Sequence, residues 1–382
     1  MMLASTKKIT NLWQRGLKAA LLVVLMTSLS LGLSAAWWDG GNSSTTNRTS
    51  VLPQGNAITD GKALLRYALP IKNRAIREAQ SSLEDIGQQL RGKRWSSITS
   101  DITKAAGIFT NREADILEDI PESQQANASA ILDQIKEEIG TLRSIVEAED
   151  KPATQDGRDR LLGLVGQLEK MMVAEFPYQV PAEYSHLPQL LGRATVAVET
   201  NKGNLTVVLD GYSAPVTSGN FVDLVQRGFY DGLEFIRSED FYVLQTGDPV
   251  GPDQGFIDPD TGEYRNIPLE VLVRGDIQPT YGITLEEAGR FREQPVLPFS
   301  AFGTVAMARP EDDPDGGSSQ FFFFLFEPEL TPAGLNLLDG RYSVFGYVVE
   351  GKEILEKLKQ GDQILSMKVV QGIENFVPAQ AS

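Results

Sequence analysis

A chain of 382 residues with 41% hydrophobic and 23% charged content is long enough for two domains, each burying its own core. Its formal net charge of −16 argues against a nucleic-acid partner, which needs a basic surface to meet phosphate. With no cysteine and one histidine, disulfides, thiol catalysis, zinc–thiolate sites and histidine-based charge relay are excluded, and no metal or cofactor is expected.

Lys7, Lys8, Arg15 and Lys18 precede an apolar run from Ala19 to Leu33 that closes on Ser34-Ala35-Ala36. This basic, apolar, small-residue order over 1–36 is that of a secretory signal, with an uncleaved membrane anchor as the alternative. Any membrane contact is expected through this segment alone. Its four basic and no acidic side chains mean that removal takes the charge from −16 to −20. Export without cysteine suits a periplasm or a thylakoid lumen. Residues 37–59, rich in Gly, Asn, Ser and Thr, read as a flexible linker.

From 60 to 176 the apolar period is helical. Ile76, Ala79, Leu83, Ile86 and Leu90 form one stripe, and Ile98, Ile102, Ala105 and Phe109 a second. Ile131, Ile135, Ile139, Leu142 and Val146 form a third, and Leu161, Val165, Leu168 and Met172 a fourth. Each stripe buries one helix face, which predicts a bundle with an interaction or regulatory role. Pro121 and the segment Lys151-Pro152 to Gly157 are expected to be connections. Glu137, Glu138, Glu147 and Glu149 read as a solvated face. Residues 177–192, with Pro177, Pro181 and Pro188, read as a linker that also holds the lone His186, expected at the surface or in packing.

At Arg193 the period changes to two. Val196 and Val198, a turn at Asn201-Lys202-Gly203-Asn204, then Leu205, Val207 and Leu209 predict a β-hairpin. Asn220 to Val225 suits a short helix. An insertion at about 249–302 is a candidate for partner contact or for docking the bundle, with a short helix over Thr284–Arg290. Its Asp258–Glu263 turn, with Pro259 inside it, reads as solvated rather than calcium-binding, and the acidic run 311–315 likewise.

Two stretches carry chemistry. The first, 235–248, sets the permanent cation Arg237 eight residues before the neutral amide Gln245, with apolar residues between. The second, 316–326, is a polar turn followed by an apolar strand in which Phe321 to Phe324 alternate between two faces. A cation and amides beside an apolar floor suit a neutral ligand with a hydrophobic ring and a peptide backbone, as a proline in a chain presents. Arg237 pairing with Glu239 or Asp240 is the plainer reading of that side chain.

Phe235, Arg237, Tyr242, Gln245, Gly247 and Asp248, then Ala306-Met307-Ala308 with Ser319-Gln320-Phe321-Phe322, then Leu338-Asp339-Gly340 with Val344-Phe345-Gly346, together resemble the cyclophilin family of peptidyl-prolyl cis-trans isomerases. The resemblance covers about the last half of the chain. It implies a domain over 193–375 built as a closed, eight-stranded antiparallel β-barrel behind the helical bundle, a multidomain α plus β protein. It also implies proline-containing polypeptides as partners. The roles implied are catalysis by Arg237, with Gln245 holding the carbonyl or orienting Arg237, and substrate binding by Tyr242, Val243, Ala308, Arg309, Gln320, Phe322, Leu337 and Tyr342.

The sequence departs from the family at three of these positions. Leu337 stands where a tryptophan is common, Tyr342 where a histidine is expected, and Arg309 where an asparagine is expected. Signal, bundle and cyclophilin domain in this order are similar to the multidomain thylakoid-lumen cyclophilins of plants and cyanobacteria. That similarity implies a role in assembling photosystem II, with its subunits as partners, and admits a catalytically weak form whose groove is covered by the bundle.

Overall fold

The computed structural model describes residues 58–173, 175–259, 261–326 and 336–379. The expected signal, and the linker up to residue 57, lie outside them. Six helices come first: α1 Gly61–Ala68, α2 Arg74–Arg91, α3 Trp95–Asn111, α4 Glu113–Glu118, α5 Glu122–Glu147 and α6 Lys151–Met171. All four apolar stripes are buried in one core, as their spacing predicts. Asn73 starts α2 by accepting from the Ile76 amide at 3.0 Å, and its Nδ2 donates to the Asp115 carbonyl at 2.7 Å, which ties α2 to α4.

One connection falls elsewhere than expected. Lys151 to Gly157 is the first two turns of α6 rather than a loop. Pro152 sits in the first turn, where its missing N–H costs nothing, and Asp150 caps the helix by accepting from the Ala153 amide at 3.0 Å. Gly157 is an approach site: a Cβ there would lie 2.9 Å from Leu142 Cδ1, so its absence lets α5 and α6 close. The bundle also buries ions that periodicity could not reveal. Glu84 takes Arg66 at 2.5 Å and Arg158 at 2.6 Å, and Arg77 reaches Glu169 at 3.0 Å. Removing one partner of such a pair strands a buried charge, at a cost of about 3–5 kcal/mol.

The second half is a curled antiparallel sheet of eight strands in the order β11-β2-β3-β10-β8-β9-β5-β4. The strands are β2 Arg193–Thr200, β3 Gly203–Asp210, β4 Arg237–Glu239, β5 Val243–Thr246, β8 Thr304–Met307, β9 Phe321–Phe324, β10 Val344–Glu350 and β11 Ile364–Gln371. The expected closed barrel is not a continuous ladder. Strands β4 and β11 are its edges and do not pair with each other, but the chain before β4 reaches the start of β11 through the bridge Glu234–Gln363 and backbone bonds such as Phe235 N to Asp362 O at 2.8 Å and Ile364 N to Leu233 O at 2.9 Å. Helix α7, Pro215–Gln226, starts earlier than its apolar spacing suggested because Pro215 sets its first turn. Phe221 of α7 packs inside the curl against Phe321 and Phe345. The linker ends in strand β1, Gln189–Leu190, which pairs with β12, Phe376–Val377, and His186 is exposed.

The insertion is moored to α7 at both ends of the helix. Glu270, in the short strand β6 Glu270–Val271 that pairs with β7 Thr280–Tyr281, accepts from the Val216 amide at 3.1 Å and the Thr217 amide at 2.7 Å. Arg265, itself buried, donates to Asp223 at 2.6 Å and to Asp258 at 3.1 Å. Asp258 is thus an ion-pair partner in a turn. The helix expected at Thr284–Arg290 is a set of hydrogen-bonded turns: Thr284 and Glu287 satisfy each other's amides, but the chain turns at Gly289 with φ +72° before a helix can propagate. Farther on, Leu297 to Ala301 cross the outer face of the sheet beside α1. Ser300 Oγ donates to Ile58 O at 2.7 Å, Tyr347 Oη to Pro298 O at 2.9 Å, and Arg193 to the Leu65 carbonyl. Leu64, Leu65 and Ala68 of α1 share one apolar cluster with Phe299, Phe322 and Tyr347.

Candidate functional site

Strand alternation places four residues in one outward row. Arg237 is opposite Gln245, Gln245 opposite Phe322, and Phe322 opposite Ala306, across β4, β5, β9 and β8. The next row carries Glu239, Val243 and Phe324 on the same face. Phe321 and Phe323 point inward to the core, so two of the four phenylalanines belong to the site face.

Arg237 is half-exposed at 51% and forms an ion pair with Glu239, Nε to Oε1 at 2.7 Å. The plainer reading of that side chain is therefore realised. An exposed pair of this kind is worth about 0–1 kcal/mol, so a substrate can displace Glu239 at small cost. Gln245 bonds to a second glutamine rather than to Arg237. Its Nε2 donates to Gln320 Oε1 at 2.7 Å, and Gln320 in turn donates to Asp248 at 2.7 Å and to the Gln254 carbonyl at 2.9 Å. This chain of amides fixes both glutamines beside the arginine. Burial raises the Asp248 carboxyl above its usual range.

The apolar floor is more enclosed than the motif suggests. Val243 and Phe322 are each only 5% exposed. Phe322 lies between two rings: Phe299 stacks on it with centroids 6.0 Å apart, and Tyr342 meets it edge-on at 5.4 Å. Tyr242 stays partly open at 38% and packs edge-on against Phe324 at 6.0 Å. Ala308, half-buried, receives the strand through its amide, which donates to Gln320 O at 2.9 Å.

Two expected contacts are placed differently. Leu337 is 89% exposed and forms no wall of the pocket, because the turn at Asn336–Asp339 points its neighbour Leu338 into the cluster instead. Arg309 is folded back on its own loop. It donates to Arg341 O at 2.9 Å and Pro310 O at 2.7 Å, and its guanidinium lies 5.4 Å from the Tyr342 ring centroid. It props the rim of the site and holds Tyr342 over Phe322.

Phe299 was not singled out by sequence. Phe299 is held by its backbone: its amide donates to Asp339 Oδ1 at 2.8 Å and its carbonyl accepts from Asn336 at 3.2 Å. Burial pushes the Asp339 carboxyl up to about 6, against the Phe299 amide and the Asn336 backbone amide, which donates to Asp339 Oδ2 at 3.1 Å. Pro298 marks an extended segment, but no local signal says that it crosses this face.

An outward row of Arg, Gln and Phe on a curled antiparallel sheet, following a helical bundle in the chain, has chemistry that suits a neutral peptide bearing an apolar ring. Residues 195–374 match the family described as cyclophilin type peptidyl-prolyl cis-trans isomerase, and residues 60–173 match the PsbQ-like domain of the isomerases described as CYP38-like. The chain is 54% identical over 367 residues to a putative thylakoid lumen peptidyl-prolyl cis-trans isomerase of Synechocystis, covering 95% of this chain and 96% of that one. It is 47% identical over 338 residues to the chloroplastic isomerase CYP38 of Arabidopsis thaliana, covering 86% and 77%. It is 31% identical over 354 residues to the chloroplastic isomerase CYP37 of the same plant, covering 86% and 73%. The chain belongs to the cyclophilin-type peptidyl-prolyl cis-trans isomerases that carry a PsbQ-like domain.

Proposed function

We propose that the Arg237 row is where this isomerase turns X-Pro bonds, and that its substrates are proline-containing polypeptides of a thylakoid lumen, photosystem II subunits among them. The barrier to rotation is about 18–20 kcal/mol because the amide C–N bond has partial double-bond character. The two end states differ by only about 0.5–1 kcal/mol. No nucleophile or cofactor is needed. A catalyst must hold the proline ring and favour the twisted amide, whose nitrogen regains its lone pair. Arg237, released from Glu239, donates to that nitrogen, a bond stronger in the transition state than in the planar amide. Gln245, already aligned by Gln320, holds the carbonyl, while Tyr242, Tyr342 and Phe322 contact the ring.

The observation that carries this reading is the register itself, which puts a cation, an amide and an aromatic ring next to one another across three strands. Isomerisation of a short Ala-Pro peptide tests it. Arg237→Ala is expected to lower kcat/KM by roughly 10²–10³, the usual cost of one lost transition-state donor. An unchanged rate would remove Arg237 from the mechanism. A second reading, a catalytically weak assembly factor, is favoured by the burial of Val243 and Phe322 to 5%. Peptide binding without measurable turnover by the unaltered chain would select it.

A further inference from the structure

The hairpin that carries Arg237 and Gln245 closes over Asp240, Phe241 and Tyr242, with the Tyr242 amide donating to Glu239 O at 3.0 Å. Phe241 is the third residue of that four-residue turn, and its φ is +62°. A positive φ at this place is what glycine or asparagine supplies without strain, and a bulky side chain is an outlier there. Two other non-glycine residues among those described have positive φ, Lys93 and Glu149, and both are polar residues two positions past a helix end. Phe241 is aromatic and in a strand connection. It is also 76% exposed, so its ring adds almost nothing to the core. Strain and exposed apolar surface both work against folding, and they coincide on the residue beside Tyr242. Backbone strain of this kind gathers at sites of function.

We propose that Phe241 is a specificity residue for the isomerase site, contacting an apolar side chain that flanks the substrate proline. This rests on the reading of the Arg237 row as the peptide site. The turn holds the ring out in solvent beside Tyr242, so a bound peptide lying along Arg237 and Tyr242 meets Phe241 next. An apolar flanking side chain would cover the ring and gain contact that a charged or small one does not. The class of substrate selected is therefore a proline next to a bulky apolar residue.

The test compares the full chain with Phe241→Gly on short peptides in which each residue flanking proline is varied in turn among Ala, Leu, Phe and Glu. Equilibrium binding by NMR titration is read together with turnover, so a chain that binds without turning over tests the proposal equally. The expected result is a loss of roughly three- to tenfold in affinity for peptides with Leu or Phe at one flank, the usual worth of an aromatic contact. Affinity for Ala and Glu peptides and kcat should stay within about twofold, and Phe241→Leu should restore part of the preference. Thermal stability should hold or rise by a few degrees, since glycine relieves the turn. If Phe241→Gly raises stability and leaves the peptide preference unchanged, Phe241 is only a strained turn residue and the proposal is overturned. Failure of the underlying reading looks different: Arg237→Ala would then leave binding and turnover of every peptide as they are.

Discussion

Phe299 lies face to face on Phe322, planes 7° from parallel, so a residue of the insertion forms the back of the ring that would hold a substrate proline. Phe299 also meets Phe324 edge-on at 5.3 Å, and its backbone is clamped by Asn336 and Asp339. The insertion is therefore part of the site's foundation. Phe299→Ala removes a buried ring at 2% exposure and leaves a cavity behind Phe322. The expected loss is about 3–5 kcal/mol of stability, read by urea denaturation, with a smaller loss for Phe299→Leu. In the fraction that folds, Phe322 loses its support and kcat/KM should fall roughly tenfold, since small misplacement of a binding group is costly. A variant of wild-type stability would show that the stack carries no packing energy.

If substrate binds Arg237 as proposed, Glu239 competes with it. Their pair is exposed on both sides, 51% and 48%, so breaking it costs at most about 1 kcal/mol, near a fivefold factor in rate. Glu239→Gln should raise kcat/KM by up to about fivefold, and the unaltered chain should gain activity with moderate salt, which screens the pair. A fall in activity would mean instead that Glu239 orients Arg237 productively.

Glu270 ties stability to pH. The N-terminus of α7 favours its charge, with bonds from Val216 and Thr217, but burial wins and pushes the carboxyl up to about 7. A carboxyl held above its ordinary 4.5 binds its proton more tightly in the fold than in the unfolded chain. Its contribution is complete below 4.5 and is lost as the pH rises through about 7, at most roughly 3 kcal/mol. Glu169, raised to about 7, and Asp339, raised to about 6, act in the same direction. The protein should therefore melt at higher temperature at pH 5 than at pH 8. Glu270→Gln should reduce that difference. It should also lower stability at pH 5, because the amide keeps only one acceptor oxygen for the two backbone donors. An unchanged slope would exclude Glu270 from the pH response.

Much of this was legible in the sequence because it rests on period. The four helical stripes, the first hairpin and the alternation of Phe321 to Phe324 follow from spacing alone, whereas Arg237 and Gln245 are joined in one site by the resemblance to the cyclophilin motif. What period cannot show is which surface covers which. Phe322 reads as a pocket floor, but its enclosure depends on Phe299, distant in sequence and carried on a segment with no repeating pattern. Leu337 and Leu338 are chemically alike, and only the turn that Asn336 and Asp339 make decides which one packs. Arg309 reads as a rim cation, but its free carbonyl partners exist only once loops 309–313 and 341 are adjacent. The α6 start was missed because Pro152 and Gly157 look like breakers, whereas one occupies the permissive first turn and the other a helix crossing.

The contact between α1 and the sheet can be tested through two glycines whose substitution should act in opposite directions. Replacing a helical glycine by alanine gains about 1 kcal/mol from reduced freedom in the unfolded chain. Gly163, inside α6, has nothing within 4 Å of a Cβ, so Gly163→Ala should realise that gain. At Gly61, the first residue of α1, a Cβ would lie 2.8 Å from Tyr347 Cβ. That atom is anchored to the backbone of β10, and Tyr347 is fully buried with its hydroxyl bonded to Pro298 O, so it cannot swing aside. Overpacking of this kind costs about 1–3 kcal/mol, which outweighs the helical gain. Gly61→Ala should thus lower the denaturation midpoint while Gly163→Ala raises it. Because α1 shares its cluster with Phe299 and Phe322, Gly61→Ala should also alter peptide binding, and Gly163→Ala should not. A Gly61→Ala protein as stable as the parent, with unchanged binding, would mean that the α1 contact bears neither load.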